Sequence, residues 1–233
     1  LRQSLQVVFQ DPSASLNLRQ RIREIMELQL QRLTDFRAEQ RTQRMEEVLE
    51  QVQLPLATLE RYPHEFSGGQ AQRISIARAL ISKPKLLLLD EPVFALDVSV
   101  QAQILLLLEE MRKELGVTYV FISHDLAVVE QLCPSVLVMY AGSIVESGPT
   151  RQLFEHCRHP YTDLLIKSVP VPGKSLELKS EEKADLENPG GCAFCTRCPK
   201  ANQQCSRGPN LRGVRGSIGG HECACYYPLS EAA

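Results

Sequence analysis

The sequence predicts an α/β fold with a mostly parallel sheet, and three stretches support this. Residues 86–89 are continuously apolar and end in two carboxylates, Asp90 and Glu91, as is typical of a parallel strand buried on both faces. Residues 98–115 have the apolar spacing of a long helix, and a second apolar run, 117–122, follows. A strand, a helix and another strand in this order indicate neighbouring parallel strands.

The elements before this unit are predicted to be one strand and an inserted helical subdomain. Residues 5–9 alternate loosely as a strand, and the subdomain covers about residues 18–82. Within it Met45, Val48 and Leu49 recur at helical spacing. A Ser-Gly-Gly-Gln turn at 67–70 then begins another helix, whose amino end would present backbone N–H groups and a positive dipole to a phosphate.

The elements from residue 98 onwards are also predicted from their spacing and turn residues. The long helix should end at Gly116, and its core-facing residues are Val100, Ile104, Leu107, Met111 and Leu115. Residues 136–140 and 144–146 flank Ala-Gly-Ser and predict a hairpin. Thr150 is expected to cap a short helix through residue 154.

Composition limits the classes of function. The chain has 233 residues and a net charge of −2, so it lacks the basic balance typical of nucleic-acid binding, and we expect no nucleic-acid partner. No apolar run approaches the roughly 20 residues that a membrane helix needs. Six of the eight cysteines lie between residues 192 and 225, a clustering that favours a metal site over disulfides in a cytosolic protein.

The turn at 67–70, followed by the strand ending in Asp90 and Glu91, resembles the signature motif and Walker B strand of ABC-type ATPases. The resemblance implies an ABC-type P-loop NTPase core that binds ATP and Mg²⁺. It implies that Asp90 holds the magnesium through water and that Glu91 orients or activates the attacking water. The residues implied to face a phosphate across a dimer are Ser67, Gly68, Gly69 and Gln70.

Three further positions match loops of this family. Gln10, at the end of the first strand, resembles the Q-loop glutamine, whose amide reaches the magnesium and the attacking water. Asp97 ends a segment similar to the D-loop, although Val93 and Phe94 stand where the family usually has threonine and serine. His124 follows the strand at 117–122 and resembles the H-loop histidine, which contacts the γ-phosphate.

A second set of motifs resembles the oligopeptide/dipeptide importer branch of ABC ATPases. It comprises residues 140–150, Tyr-Ala-Gly-Ser-Ile-Val-Glu-Ser-Gly-Pro-Thr, and His-Pro-Tyr-Thr at 159–162. The resemblance implies a peripheral protein on the cytoplasmic face of the cell membrane that powers the import of peptides, or of nickel. Its implied partners are a second ABC ATPase subunit, identical or different, transmembrane permease subunits and, indirectly, a substrate-binding protein.

The cysteine tail has a counterpart in the same branch, where four cysteines hold an iron–sulfur cluster. By position the implied ligands are Cys192, Cys198, Cys205 and Cys225. Cys195 and Cys223 are additional, and thiolates suit Zn²⁺ as well as iron–sulfur clusters. Zinc and a set of reduced thiols therefore remain alternatives.

The resemblance also leaves the mechanism open in one respect. A Gly-x-x-x-x-Gly-Lys-Ser/Thr sequence, the Walker A loop that cradles phosphates, occurs nowhere in residues 1–233. The family places it before the Q-loop, so we expect it ahead of Leu1, which would make the core incomplete at its amino end. The alternative to a hydrolysing importer subunit is a non-hydrolytic partner that supplies only its signature motif to an intact subunit. A soluble ABC ATPase of DNA repair or translation is disfavoured by the His-Pro-Tyr-Thr segment and the tail.

The predicted domain organisation follows from these assignments. Residues 1–168 form the ATPase domain, and 169–190, rich in proline, glycine and charge, form a linker. Residues 191–233 form the small cysteine-rich tail.

Overall fold

The computed structural model describes residues 2–169, 191–207, 212–213 and 220–229. They form two compact units, Leu1–His124 and Asp125–Ala233. Apart from Val169, the predicted linker lies outside the described residues.

The first unit contains a three-stranded sheet in the order β1-β2-β3. The strands are β1 (Leu5–Val8), β2 (Leu86–Asp90) and β3 (Thr118–Ile122). Both pairings are parallel, and Val8, Leu89 and Phe121 lie side by side across them. The parallel sheet expected from the apolar runs is confirmed.

Five helices and two short 3₁₀ turns complete the first unit. They are α1 (Pro12–Ser15), α2 (Ile22–Leu33), α3 (Ala38–Gln51), α4 (Gly68–Leu80) and α5 (Val98–Leu115), with turns at Leu56–Glu60 and Pro63–Glu65. The buried Arg44 of α3 donates to the carbonyls of Leu80, at 2.9 Å, and Ile81, at 3.1 Å. This contact satisfies backbone acceptors at the end of α4. Gly116 ends α5 in the left-handed conformation, with φ of 63°, as predicted.

The two faces of the parallel sheet differ in burial. Leu87 and Leu89 are fully buried, and the Tyr119 hydroxyl on the same face donates to the Leu108 carbonyl of α5 at 3.0 Å. On the other face Val120 and Ile122 are 46% and 45% exposed. The prediction that residues 86–89 are buried on both faces is therefore wrong on this face, where Leu86 and Leu88 are only half-buried and the neighbouring β3 is more exposed, because α5 packs against the opposite face.

The predicted core face of α5 needs one correction. Ile104, Leu107 and Met111 are buried, but Leu115 is 36% exposed. Leu115 is the last residue of the helix, immediately before the Gly116 turn, where the chain leaves the helical face.

The second unit is built on an antiparallel sheet in the order β4-β5-β7-β6. Its elements are α6 (Leu126–Leu132), β4 (Ser135–Tyr140), β5 (Ser143–Pro149), α7 (Thr150–Glu155), α8 (Pro160–Lys167), β6 (Arg212–Gly213) and β7 (Glu222–Cys223), with 3₁₀ turns at Cys195–Arg197 and Gln203–Arg207. The β4–β5 hairpin is confirmed. Thr150 is the first helical residue of α7 rather than its cap, which is Pro149; the Thr150 hydroxyl instead donates to the Cys133 carbonyl.

A buried polar junction joins three parts of the second unit: Glu146 of β5, the residues that lead into α8, and the end of the tail. The Glu146 carboxylate accepts from the backbone N–H groups of Arg158, at 2.5 Å, and His159, at 3.0 Å. It also accepts from His221 Nε2 at 2.7 Å. The Glu146 and His221 side chains are 0% and 1% exposed. The junction therefore satisfies a buried carboxylate entirely from within the protein.

Candidate active site

The carboxyl edge of the parallel sheet brings together three of the predicted site residues. Glu91 follows β2, and its Oε2 accepts from the Gln10 amide, which follows β1, at 2.9 Å. Its Oε1 lies 3.2 Å from His124 Nδ1, beyond the end of β3. Side chains from the ends of three neighbouring strands thus meet on one carboxylate, at the sheet edge where α/β proteins bind ligands.

The backbone at Glu91 has an unusual conformation. Its φ is 45°, in the region that non-glycine residues adopt rarely and that often marks functional sites. The Glu91 N–H donates to the Ile122 carbonyl at 3.0 Å, so the bond pattern of the sheet continues into this residue. The conformation turns the carboxylate away from the strand direction and towards Gln10 and His124.

Asp90 occupies a different position from Glu91. It is the last residue of β2 and pairs with Ile122 in register. By strand alternation its side chain shares a sheet face with Leu86 and Leu88, and it is partly buried. The two carboxylates therefore leave the strand end in different directions, as their predicted separate roles require, and those roles stay predictions.

The signature turn forms the capped amino end of α4. Gln70 N–H donates to Ser67 Oγ at 3.4 Å, and Ser67 N–H donates to the Gln70 side chain at 3.1 Å. Gly68 and Gly69 are the first residues of the helix, where N–H groups and the positive dipole end favour an anion. The four residues are arranged as a phosphate-binding helix start would need, and that role stays a prediction.

Glycine is required at position 69 by packing. A Cβ atom at Gly69 would lie 2.5 Å from Val100 Cγ1 of α5, closer than two carbon atoms approach without displacement. At Gly68 the nearest atom to such a Cβ is Leu96 Cδ2, at 3.4 Å. The start of α4 therefore packs directly against the segment that leads into α5.

Asp97 is the N-cap residue of α5. Its carboxylate accepts from the Val100 N–H at 3.0 Å and from the Ser99 hydroxyl at 2.7 Å. The hydrogen bond from Ser99, followed by that from Val100, lowers the pKa of Asp97, because both stabilise the ionised carboxylate. The structure thus gives Asp97 a helix-capping role, and its predicted contact with a partner subunit stays a prediction.

Two features of these sites were missed from the sequence. Phe94 was noted only as a departure from serine, but its ring packs edge to face on His124, with ring centroids 4.9 Å apart. The partners of Glu146 were not anticipated, although Glu146 and His159 both lie in motifs singled out above. The available signal was that one motif contains a glutamate and the other a histidine.

Five of the six cysteines of the tail line one small pocket. Its walls include Cys192, Cys195, Cys198, Cys205 and Cys225, with His159 and Phe194. Burial raises the pKa of Cys192 and of Cys195, and raises that of Cys225 to about 11, because the charged thiolate loses solvation.

The pocket does not form a metal-binding arrangement. Within residues 2–169, 191–207, 212–213 and 220–229, no group of three or more His, Cys, Asp or Glu side chains is placed to hold a metal ion. The predicted ligation of an iron–sulfur cluster or zinc by Cys192, Cys198, Cys205 and Cys225 is therefore not supported.

No helix in the described part of the chain combines the length and apolar character needed to cross a bilayer.

Two family models match separate parts of the chain. The model described as ABC transporter matches residues 1–94. The model described as oligopeptide/dipeptide transporter, C-terminal region, matches residues 145–205. The second match includes Glu146, the His-Pro-Tyr-Thr segment and three of the four predicted cysteine ligands.

Curated relatives and a solved structure give the same assignment. A putative peptide import ATP-binding protein of Brucella abortus is 45% identical over 229 residues, which are 97% of this chain and 68% of that protein. The dipeptide transport ATP-binding protein DppF of Haemophilus influenzae is 42% identical, over 97% of this chain and 70% of that protein. The structure of CbiO1 from Clostridium perfringens, part of the ABC transporter complex CbiONQ, matches with a TM-score of 0.59 and 30% identity, over 66% of this chain and 61% of that one. This chain therefore belongs to the ABC transporter ATP-binding proteins, in the oligopeptide/dipeptide group.

Proposed function

We propose that this chain is the ATP-binding and ATP-hydrolysing subunit of an importer that carries dipeptides or oligopeptides across the cytoplasmic membrane. The observation that carries the proposal is the meeting of Gln10, Glu91 and His124 at the carboxyl edge of the parallel sheet. An accessible carboxylate held between an amide and an imidazole is equipped to orient water and to accept its proton.

The donor set at this edge suits a magnesium nucleotide. Carboxylate oxygens of Asp90 and Glu91, together with an amide at Gln10, are hard ligands of the kind that Mg²⁺ prefers. When bound, Mg²⁺–ATP supplies the γ-phosphoryl group and neutralises the charge that develops on it. Asp90 would hold the cation through water, and Glu91 would hold the attacking water and receive its proton.

Gln10 and His124 would set the position of Glu91 in this mechanism. Each contacts one carboxylate oxygen of Glu91, so together they fix the plane of the group. The His124 side chain is 59% exposed, which leaves its ring accessible to a phosphate. These contacts support a site that is preorganised on the protein side and open on the ligand side.

The signature turn supports a dimeric arrangement in this proposal. The amino end of α4, with Ser67, Gly68 and Gly69, would bind the phosphates of a nucleotide held by a second ABC ATPase subunit. The close packing of Gly69 on Val100 connects that surface to the segment containing Asp97. We propose a dimer, and both an identical and a different partner subunit agree with these contacts.

The proposed peptide cargo comes from the relatives, whereas the nickel alternative and the membrane partners come from the family resemblance. Two of the relatives are described as peptide import and dipeptide transport ATP-binding proteins, so peptides are the proposed cargo and nickel is the alternative. The subunit would bind permease subunits at the cytoplasmic face of the membrane, and a substrate-binding protein would deliver cargo on the other side.

Uptake by cells that carry variants of this gene tests the proposal. We expect deletion to abolish uptake of labelled dipeptides or oligopeptides and the wild-type gene to restore it, whereas Glu91→Gln should not. Leu106→Ala, at an exposed position of α5, is a matched control that should restore uptake fully. Undiminished peptide uptake in the deletion strain would overturn the proposed cargo, and a loss of nickel uptake instead would assign the alternative.

The same strains distinguish a hydrolytic from a non-hydrolytic subunit. If this chain supplied only its signature motif, Glu91→Gln would restore uptake as well as the wild type does, while Ser67→Arg would not, because its long cationic side chain would occupy the phosphate position. The relatives, described as ATP-binding proteins for import, favour the hydrolytic form. Loss of uptake with both variants is the result expected for it.

The cysteine tail requires a separate measurement. An iron–sulfur cluster, with zinc as the alternative, is proposed on the family resemblance alone, because the described thiols line one pocket without forming a group that could hold a metal ion. Protein purified without oxygen should contain iron and acid-labile sulfide for a cluster, or bound zinc for the alternative. The absence of both, with all thiols titratable, would assign the cysteines as reduced thiols.

A further inference from the structure

The ring of Phe94 packs against the candidate active site. It contacts His124 edge to face, with an interplanar angle of 75° and a centroid separation of 4.9 Å. This geometry is among the favoured arrangements of two aromatic rings. Phe94 is nevertheless 54% exposed, so burial in a core does not account for its position.

The backbone around Phe94 is held in place from two directions. The Phe94 N–H donates to the Glu91 carbonyl at 3.2 Å, which folds the chain back over the end of β2. The Gln101 amide of α5 donates to the carbonyls of Val93 and Leu96, both at 3.0 Å. The buried Val93 side chain anchors the same turn in the core.

His124 has little else to fix it among the contacts that the structure describes. Its side chain is 59% exposed, and its Nδ1 lies 3.2 Å from the Glu91 carboxylate. Exposed ion pairs and hydrogen bonds hold a side chain weakly, because the lost rotamer freedom offsets much of the attraction. The Phe94 ring, carried by a turn with its own backbone hydrogen bonds, gives the imidazole a second contact besides Glu91.

We propose that Phe94 is a positioning residue that holds the His124 imidazole against Glu91. Its effect on turnover rests on the function proposed above, whereas the ring contact itself does not. A serine at this position, as in most of the family that the sequence resembles, has no ring to make this contact. In this chain the residue at position 94 would thus act on His124 of its own subunit.

Nuclear magnetic resonance of the full chain with isotope-labelled histidine tests the contact without any assay of activity. The His124 ring signals are assigned from His124→Asn and followed in Phe94→Leu and Phe94→Ser. We expect both variants to shift and broaden these signals, because the neighbouring ring current is lost and the imidazole becomes mobile. Phe94→Tyr should keep the wild-type pattern, and Leu106→Ala should leave it unchanged.

An unchanged His124 signal in both Phe94→Leu and Phe94→Ser would overturn the proposal. The signals of the other four histidines report folding in each variant, so a misfolded sample is recognised. If Phe94→Leu alone unfolds, the Phe94→Ser and Phe94→Tyr spectra decide the question.

Steady-state hydrolysis by the assembled transporter gives a second reading. We expect Phe94→Leu to lower kcat several-fold at an unchanged KM for ATP, with Phe94→Tyr close to the wild type. An altered KM with constant kcat would contradict positioning and indicate nucleotide binding. If wild-type protein hydrolyses no ATP, the proposed function fails, and the resonance experiment still decides the Phe94 contact.

Discussion

The two units of this protein each contain a glutamate–histidine pair, in opposite environments. Glu91 and His124 lie 3.2 Å apart at the sheet edge, with side chains 26% and 59% exposed. Glu146 and His221 lie 2.7 Å apart in the buried polar junction, with side chains 0% and 1% exposed. The same chemical pair is accessible to a ligand in the first unit and sealed from solvent in the second.

The number of internal partners explains the difference. Glu146 also receives two backbone N–H groups, so its carboxylate needs no water and fixes three chain segments. Among the residues that the structure describes, Glu91 receives only side-chain donors, from loops that follow strands, and such contacts can be exchanged for bound water or phosphate. We infer that the exposed pair is suited to catalysis and the buried pair to structural support.

The largest expected effect is on turnover through the exposed pair. Glu91→Gln removes the proton acceptor, so single-turnover ATP hydrolysis in the assembled transporter should fall by about 10²- to 10⁴-fold, while ATP binding is retained. The matched control is Glu155→Gln, an exposed glutamate of α7, which should leave turnover unchanged. Undiminished hydrolysis in Glu91→Gln would remove Glu91 from the catalytic role.

The buried pair should instead control stability. Glu146→Gln replaces one acceptor oxygen by an N–H donor opposite donors already in place, and breaking a buried pair in this way typically costs about 3–5 kcal/mol. Urea unfolding followed by circular dichroism measures the loss, again with Glu155→Gln as the control. A change no larger than that of the control would show that the junction does not support the second unit.

The histidine at the start of α8 makes the second unit sensitive to acid. His159 is buried, and its Nδ1 accepts from the Tyr161 N–H at 3.1 Å. Burial lowers the pKa of His159 to about 4, against a partly compensating effect of Glu146. The folded protein therefore disfavours the protonated ring. The contribution of neutral His159 to the free energy of unfolding is complete above about pH 6.5 and is lost as the pH falls towards 4.

This contribution should reach about 3 kcal/mol, from 1.36 kcal/mol for each unit of pKa difference. His159→Asn keeps a side-chain acceptor for the start of α8 but removes the titration. The unfolding free energy measured between pH 7 and pH 4 should therefore fall less steeply in the variant than in the wild type. Parallel slopes would assign the acid sensitivity to other groups.

Local pattern was sufficient to predict most elements of the two units. The apolar runs at β2 and β3, the long helix α5 and its end at Gly116 follow from side-chain periodicity and glycine geometry, which are properties of neighbouring residues. The exposure of Val120 and Ile122 was not predictable in this way, because it depends on which elements cover each sheet face.

The active-site edge was predictable for a topological reason. Gln10, Glu91 and His124 each follow a strand, and the carboxyl ends of parallel strands share one edge. The partners of Glu146 follow no such rule, because His221 lies far along the chain and is brought to β5 through pairing with β7. The contact of Phe94 with His124 depends on the turn at Glu91, where φ is positive, and nothing in the local sequence specifies that conformation.

The smallest expected effect is on stability through the exposed pair, and it is the most direct check on the comparison. Because both side chains stay partly exposed in the folded protein, the coupling energy of Glu91 and His124 in a double-mutant cycle should be about 0–1 kcal/mol. The cycle uses Glu91→Gln, His124→Asn and the double variant, with urea unfolding as the measurement. Glu91→Gln leaves the backbone preference at position 91 nearly unchanged, so the cycle isolates the side-chain contact.

The same cycle at Glu146 and His221 should give a clearly larger coupling, because removing either partner leaves the other buried without its counterpart. Equal couplings at the two pairs would mean that exposure does not separate their roles, and the division into a catalytic and a structural pair would have to be abandoned.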